Sequence, residues 1–288
     1  MRERMVVLTD NVGTSPRNGL LAALPHEVLS SLRPHLKPVS LPRGRVLCES
    51  DEPLRRVYFV EAGFISLVTV FEDGTTAEMA TVGREGMVGI GTLLGGERAL
   101  GRYVVLVPGF ALAIDGPRFQ EVLRESPELR AACEAYAHAF VRHLFQKVAC
   151  NAVHTVEQRY ACWLLMCDDQ AAHDTFELTQ EHVAELLGVR RSTVTVVAGA
   201  LQQAGVIHYR RGAIRVLDRP ALEAVACECY RIVRDGYNRS WCGRSVGAPY
   251  NAGEGLFTQR VNGSGDAAIT IRRAPIAGCG AGEANAPR

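Results

Sequence analysis

The sequence predicts an α+β chain in which a small antiparallel β-roll is followed by one long helix and then by a helical domain with a short β-hairpin. Three observations carry this. Residues 39 to 114 hold short β-type runs punctuated by glycines, Ser126-Pro127-Glu128 opens a long apolar helical stripe, and two short helical segments meet at Gly188 ahead of a hairpin pattern.

The bulk properties leave room for that arrangement. At 288 residues with 47% hydrophobic content, the chain can bury two modest cores. The expected organisation is a loose leader over 1–19, the β-roll over 20–125, the long helix over 126–152, a helical domain with a hairpin over 153–237 and an irregular tail over 238–288. Formal charge is nearly balanced at +1, so any nucleic-acid footprint must be local. Between Arg190 and Arg219 lie six arginines and a single acidic residue, Asp218, which is such a footprint. No run of about 18 apolar residues exists to span a bilayer, and the first residues do not read as a signal peptide, so a cytoplasmic protein without a membrane partner is expected. The nine cysteines are scattered without a C-x-x-C pair, which fits packing thiols rather than a disulfide framework.

Taken in order, Leu20 to Leu36 carries leucines at helical spacing until Pro38 closes it. Val57-Tyr58-Phe59-Val60, the Ala62-Gly63 turn, Phe64 to Phe71 and then Glu72-Asp73-Gly74 read as strands joined by turns. The Asp-Gly pair is a hairpin signal because glycine supplies a positive φ. Glycines at 83, 86, 89, 91, 95, 96 and 101 mark a turn-rich excursion, read first as corners. Ser126 can cap free amides, Pro127 suits the first helical position and Glu128 favours the positive helix end. The apolar stripe beyond them is too wide for one neighbour: one side can pack on the roll and the other on a second copy of the chain. Leu129, Cys133, Tyr136, Phe140, Leu144 and Val148 are the expected homodimer contacts. Val153 to Ala172 forms a further helix.

The densest pattern lies near Gly188. Thr179 can cap a helix over Gln180 to Leu187, Gly188 ends it, and a second helix spans about Arg190 to Ala204 before Gly205. Small Ala184 sits where the helices cross, and Val183, Leu187, Val194 and Val197 face inward. This is the spacing of a helix-turn-helix. In that geometry the start of the second helix enters the major groove, so Arg190, Arg191, Ser192, Thr195 and Val196 face double-stranded DNA. Arg191, then Arg190, can give two hydrogen bonds to a guanine edge; Ser192 and Thr195 suit bases or phosphates, Val196 a thymine methyl, and Gln180 a phosphate. Val206 to Leu217 reads as a β-hairpin wing whose Arg210, Arg211 and Arg215 lie along the DNA backbone, and Arg219 to about Tyr237 supplies a closing helix.

Roll, long helix and winged helix in this order resemble the Crp/Fnr superfamily of bacterial transcription regulators over about residues 20 to 237. The resemblance rests on Val57 to Gly63, on Gly86-Met87-Val88-Gly89 and on Leu178 to Val216. It implies a cyclic-nucleotide-binding-like double-stranded β-helix, a homodimer on a two-fold symmetric DNA site, and contact with RNA polymerase. Members that bind cyclic AMP carry a Gly-Glu pair and, about ten residues later, Arg-Ser or Arg-Thr. The matching positions here are Gly89-Ile90 and Leu100-Gly101, and Ile90 cannot accept a ribose hydroxyl while Leu100 leaves a phosphate unpaired. The pocket is therefore read as degenerate, with Arg102 as the one residue that could serve some other anion and with no effector identified.

No cofactor or metal is expected. The iron-sulfur branch of the family needs an N-terminal cysteine cluster, and residues 1 to 40 contain no cysteine. Cys227 and Cys229, two apart on the closing helix, would face different directions. His138 and His143 read as surface or core histidines rather than haem ligands, and Cys48 is the one candidate redox handle. A cupin-like enzyme would need barrel histidines, and none lies between His35 and His138. The chain is expected not to be an enzyme. The alternative kept open is a roll that senses an effector or redox state and so gates DNA binding.

Overall fold

The computed structural model describes residues 16–171, 175–210 and 212–241. Most of the expected leader, up to residue 15, and the expected tail beyond Trp241 lie outside the described residues.

The leucine-rich opening is two short helices, not one. α1 (Gly19–Ala22) and α2 (His26–Leu32) are separated at Pro25, which caps α2, and a 3-10 turn over Arg33–His35 leads into the roll. A proline cannot continue the hydrogen-bond ladder from the preceding turn, so the helical pattern breaks there. Asn18 is fully buried and ties this opening to the roll. Its amide donates to the carbonyls of Val60 (2.9 Å) and Gly86 (2.7 Å), while its Oδ1 caps α1 at Leu21.

The roll is a six-stranded antiparallel sheet of β1 (Lys37–Leu41), β2 (Val46–Cys48), β3 (Arg56–Val70), β4 (Thr76–Val82), β5 (Met87–Val88) and β6 (Arg102–Asp115). The path β1-β6-β3-β4 is extended by β2 on β6 and by β5 on β3. β3 runs straight through the position read as a turn: Gly63, at φ 97°, bends the strand instead of ending it, and the pairing with β6 shifts register on both sides. A side chain at Gly63 would put its Cβ 2.6 Å from the Val107 carbonyl oxygen, so the two long strands can cross here only through glycine. The Asp73-Gly74 hairpin forms as expected, with Gly74 at φ 81° and the Asp73 carboxylate accepting from Thr75, which holds that carboxyl below its ordinary pKa.

α3 (Gly116–Glu125) leads to α4 (Pro127–Val153), where Ser126 caps the amide of Leu129 as its sequence position demands. One face of α4 seals the roll: Leu129, Cys133, Tyr136 and Phe140 are all at most 1% exposed, and Tyr136 donates to the Met87 carbonyl at 3.2 Å. Further along, the Lys147 ammonium sits 2.9 Å from the Glu78 carboxylate of β4, which also accepts from Ser66. Burial works against the charge on Lys147, but the Glu78 carboxylate outweighs it and raises its pKa.

The second core belongs to the helical domain. α5 (Val156–Gln170) starts with a Thr155–Gln158 capping box, and its Tyr160, Trp163, Leu164 and Cys167 pack against α6 (Gln180–Leu187) and α7 (Arg191–Gln203). β7 (Phe176–Glu177), β8 (Ile207–Arg210) and β9 (Ala213–Val216) form a three-stranded sheet in the order β7-β9-β8. Phe64, Val68, Leu106 and Val107 of the roll join this second core, so the helical domain is docked on the roll.

The closing segment is two helices, α8 (Arg219–Val225) and α9 (Cys229–Trp241). Residues 226–228 form a turn between them, so Cys227 and Cys229 do not share a helix and are not forced to diverge. α9 runs into the stretch assigned to the tail, folds back along α4, and places Tyr237 on Tyr136 with ring centroids 5.9 Å apart.

Candidate nucleic-acid interface

The local chemistry around Gly188 builds the turn the sequence predicts. Thr179 caps the amide of His182, and α6 buries Val183, Ala184, Leu186 and Leu187. Gly188 stands at φ 63°, which only glycine adopts without steric cost, and its amide returns to the Ala184 and Glu185 carbonyls. Val194, Ala198 and Leu201 bury the inner face of α7 at 2% exposure or less. The opposite face is thereby fixed outward.

That face carries the expected reading residues. Arg190 is the N-cap of α7, and it, Arg191, Ser192, Thr195 and Val196 are exposed; Val196, a β-branched apolar side chain, is 72% exposed. The Arg191 Nε lies 3.7 Å from the Glu181 carboxylate, an exposed pair that a stronger acceptor can replace. The Thr195 hydroxyl donates to Gln180 Oε1 at 2.6 Å, which ties the start of α6 to the exposed face of α7. On the wing, Arg210 and Arg215 are exposed, and His208 sits directly across from Arg215 in the β8–β9 pairing. His208 was missed in the sequence because only the strand register shows that it shares the wing's basic face. Arg211 lies outside the described residues. Arg219, the last arginine of the basic run, turns inward to Asp168 and Asp169, each at 2.6 Å.

The two faces of α4 separate differently from expectation. Leu129, Cys133, Tyr136 and Phe140 are consumed by the chain's own core and have no surface left for a second copy. Leu144 is half-buried at the margin and Val148 is 63% exposed. The outward row is Glu134, His138, Val141, Phe145, Val148 and Ala152, spaced alternately four and three residues apart. Phe145 at 72% and Val141 at 38% exposure lie on this outward row; the sequence places them in the stripe but does not separate them from its buried members, because a hydrophobic stripe does not say which partner buries it. His143 faces inward, with Nδ1 3.2 Å from the Tyr237 hydroxyl, and burial, helped by nearby Lys147, pushes its pKa down to about 3. His138 lies on the outward row.

In the roll, Gly89 takes φ 113° ahead of a 3-10 turn and Ile90 is buried at 2%. Leu100 is 56% exposed, whereas its position in the sequence implied a place against a buried phosphate. Gly101 is buried against the Val68 carbonyl, which stands 2.9 Å from where a Cβ would lie. Arg102 is already engaged, its Nε 2.6 Å from the Glu49 carboxylate. The interior is occupied by apolar side chains, among them Leu67, Val82 and Tyr103. Cys48 is nearly buried, and burial together with Glu52 and Glu49 raises its thiol pKa, which works against a reactive thiolate.

Comparison with known proteins agrees with both halves. Residues 38–126 match the cyclic nucleotide-binding domain and residues 158–225 the Crp-like helix-turn-helix domain. The global nitrogen regulator of Synechococcus elongatus is 26% identical over 189 residues, covering 62% of this chain and 85% of the relative. A CRP-like cAMP-activated global transcriptional regulator of Mycobacterium tuberculosis is 22% identical over 213 residues, covering 72% and 95%. Among solved structures, FixK2 from Bradyrhizobium japonicum superposes with a TM-score of 0.57 at 17% identity, covering 67% of this chain and 98% of that one, a likeness of fold. A roll joined through one long helix to a winged helix-turn-helix defines a DNA-binding transcription regulator, not an enzyme. The chain belongs to the Crp/Fnr family.

Proposed function

We propose that the chain works as a cytoplasmic homodimer that reads a two-fold symmetric site in double-stranded DNA. The observation that carries this is the exposed row Arg190, Arg191, Ser192, Thr195 and Val196 on the first two turns of α7, held outward by a fully apolar inner face. Arg191 and Arg190 take guanine edges, Ser192 and Thr195 bases or phosphates, and Val196 a thymine methyl. Gln180, Arg210, Arg211 and Arg215 hold the backbone, joined by His208. The dimer forms along Val141, Phe145, Val148 and Ala152, whose 3.5-residue repeat is the seam of a two-stranded coiled coil. RNA polymerase is the further partner that kinship with the family supports. Free cysteines at all seven described positions suit a reducing compartment.

Cyclic AMP is not the effector in this reading. Ile90 and Leu100 offer neither anchor, and Arg102 is committed to Glu49. The deciding experiment is selection of bound sequences from a random DNA library with purified protein: an enriched palindromic motif, lost or relaxed in Arg191→Ala, is expected. Enrichment of no motif, or a motif indifferent to Arg191, overturns the assignment.

A further inference from the structure

Where α4 ends against the turn between α8 and α9, three thiols and an imidazole converge, with a further thiol, Cys162 of α5, against Cys227. Cys150 and His154 are four residues apart at the end of α4, so they lie on one side of the helix, with His154 as its C-cap. Cys227 sits in the 226–228 turn and Cys229 opens α9. One ligand atom from each of the four lies within 4.8 Å of every other. The Cys150 and Cys227 sulfurs are 3.6 Å apart, and the Cys229 sulfur is 3.4 Å from His154 Nδ1.

We propose that Cys150, His154, Cys227 and Cys229 form a zinc site. Zinc binds thiolate sulfur at about 2.3 Å and imidazole nitrogen at about 2.0 Å, so a tetrahedron around it has edges of about 3.8 Å between sulfurs and about 3.5 Å from sulfur to nitrogen. The two separations above are close to those edges before any ion draws the ligands together. The surroundings are those of a metal-binding histidine. His154 uses Nδ1 toward the cluster, and its Nε2 lies 3.3 Å from the Glu228 carboxylate, the outer partner that fixes the ring tautomer and orientation in such sites. Gln146 donates its amide to the Cys229 sulfur at 3.0 Å, a contact that steadies a thiolate. The three cysteines are each at most 5% exposed, and the set of four closes the coordination sphere, so the site is structural rather than catalytic. Binding releases the thiol protons and ties the end of the dimer helix to the helix that closes the DNA-reading domain.

A disulfide between Cys150 and Cys227 is the competing use of the same sulfurs. It would leave Cys229, His154 and the Glu228 contact unexplained.

The test uses the full chain purified under reducing conditions. Expected are one zinc per chain by elemental analysis, and, after exchange for cobalt, the intense visible bands of a tetrahedral site with sulfur-to-cobalt charge transfer. Cys227→Ser and His154→Ala lose most of the zinc, whereas Cys48→Ser, in the roll, keeps it. If those variants fail to fold, the unmutated chain still decides: a chelator should unmask three thiols to a thiol reagent that native protein protects. Folded protein without metal, cobalt bound without charge-transfer bands, zinc retained in Cys227→Ser, or a Cys150–Cys227 disulfide found by peptide mapping overturns the site.

Discussion

The rings of Tyr136 and Tyr237 stack with 25° between their planes, one from the helix that seals the roll and the other from the last helix of the DNA-reading half. Tyr237 also reaches His143 through its hydroxyl. Truncation at this point removes a fully packed aromatic ring and a buried polar contact together. Tyr237→Ala should cost about 3–5 kcal/mol, and Tyr237→Phe about 1–2 kcal/mol, both read from urea unfolding midpoints at unchanged slope. Equal small losses from the two would show that the stack is incidental.

His143 gives the fold an acid sensitivity with a defined window. Its folded pKa of about 3 lies below the ordinary 6.5, so between these values the unfolded chain holds the proton and the folded chain does not. Stability from this residue is complete above pH 6.5 and declines as pH falls toward 3, by about 1.4 kcal/mol per pH unit. His143→Gln, which does not titrate, should flatten that part of the stability profile in a series of denaturant melts. An unchanged slope would place the proton elsewhere.

In the proposed interface, base reading and backbone holding fall to different residues. Arg191→Ala should relax preference at one base pair per half-site by about 1–3 kcal/mol. Arg210→Ala should weaken all sequences alike and reduce the salt dependence of binding by about one counterion. Competition binding with single-base variants of the selected site checks this, and identical profiles for the two variants would refute it.

The proposed seam on α4 predicts that a charge at its centre separates the protomers. Phe145→Asp should convert dimer to monomer in sedimentation analysis and abolish binding to a full palindrome, with helical content retained because Phe145 is 72% exposed in the single chain. Leu129→Ala should instead lower stability by about 2–5 kcal/mol without changing the oligomeric state.

Calorimetric titration with cyclic AMP should give no isotherm in the micromolar range. A clear isotherm would mean that the roll recruits polar groups other than those at the expected anchor positions.

The turn chemistry and the inward spacing of α6 and α7 were legible because each depends on a few local residues. Asp73-Gly74, Ser126-Pro127, Thr179 and Gly188 encode their own geometry. What could not be read depends on distant partners. Phe140 and Phe145 look alike in the stripe, yet one is sealed by the roll and the other is bare. Nothing between Ala226 and Glu228 carries a glycine or proline to announce a turn, so the separation of Cys227 from α9 emerges only when α9 docks along α4. The same holds for Gly63, where a residue that usually marks a turn instead lets one strand cross another.

The path of α9 has a mechanical consequence. It begins beside the end of α4 and finishes with Trp241 against Gly19, where an added Cβ would lie only 3.0 Å from the indole nitrogen. A swivel of the reading helices about the joint at His154 would load this strut. Either the strut travels with them and peels Trp241 off the first helix, or it holds and gears the swivel to the roll through the packing of Trp241 on Gly19.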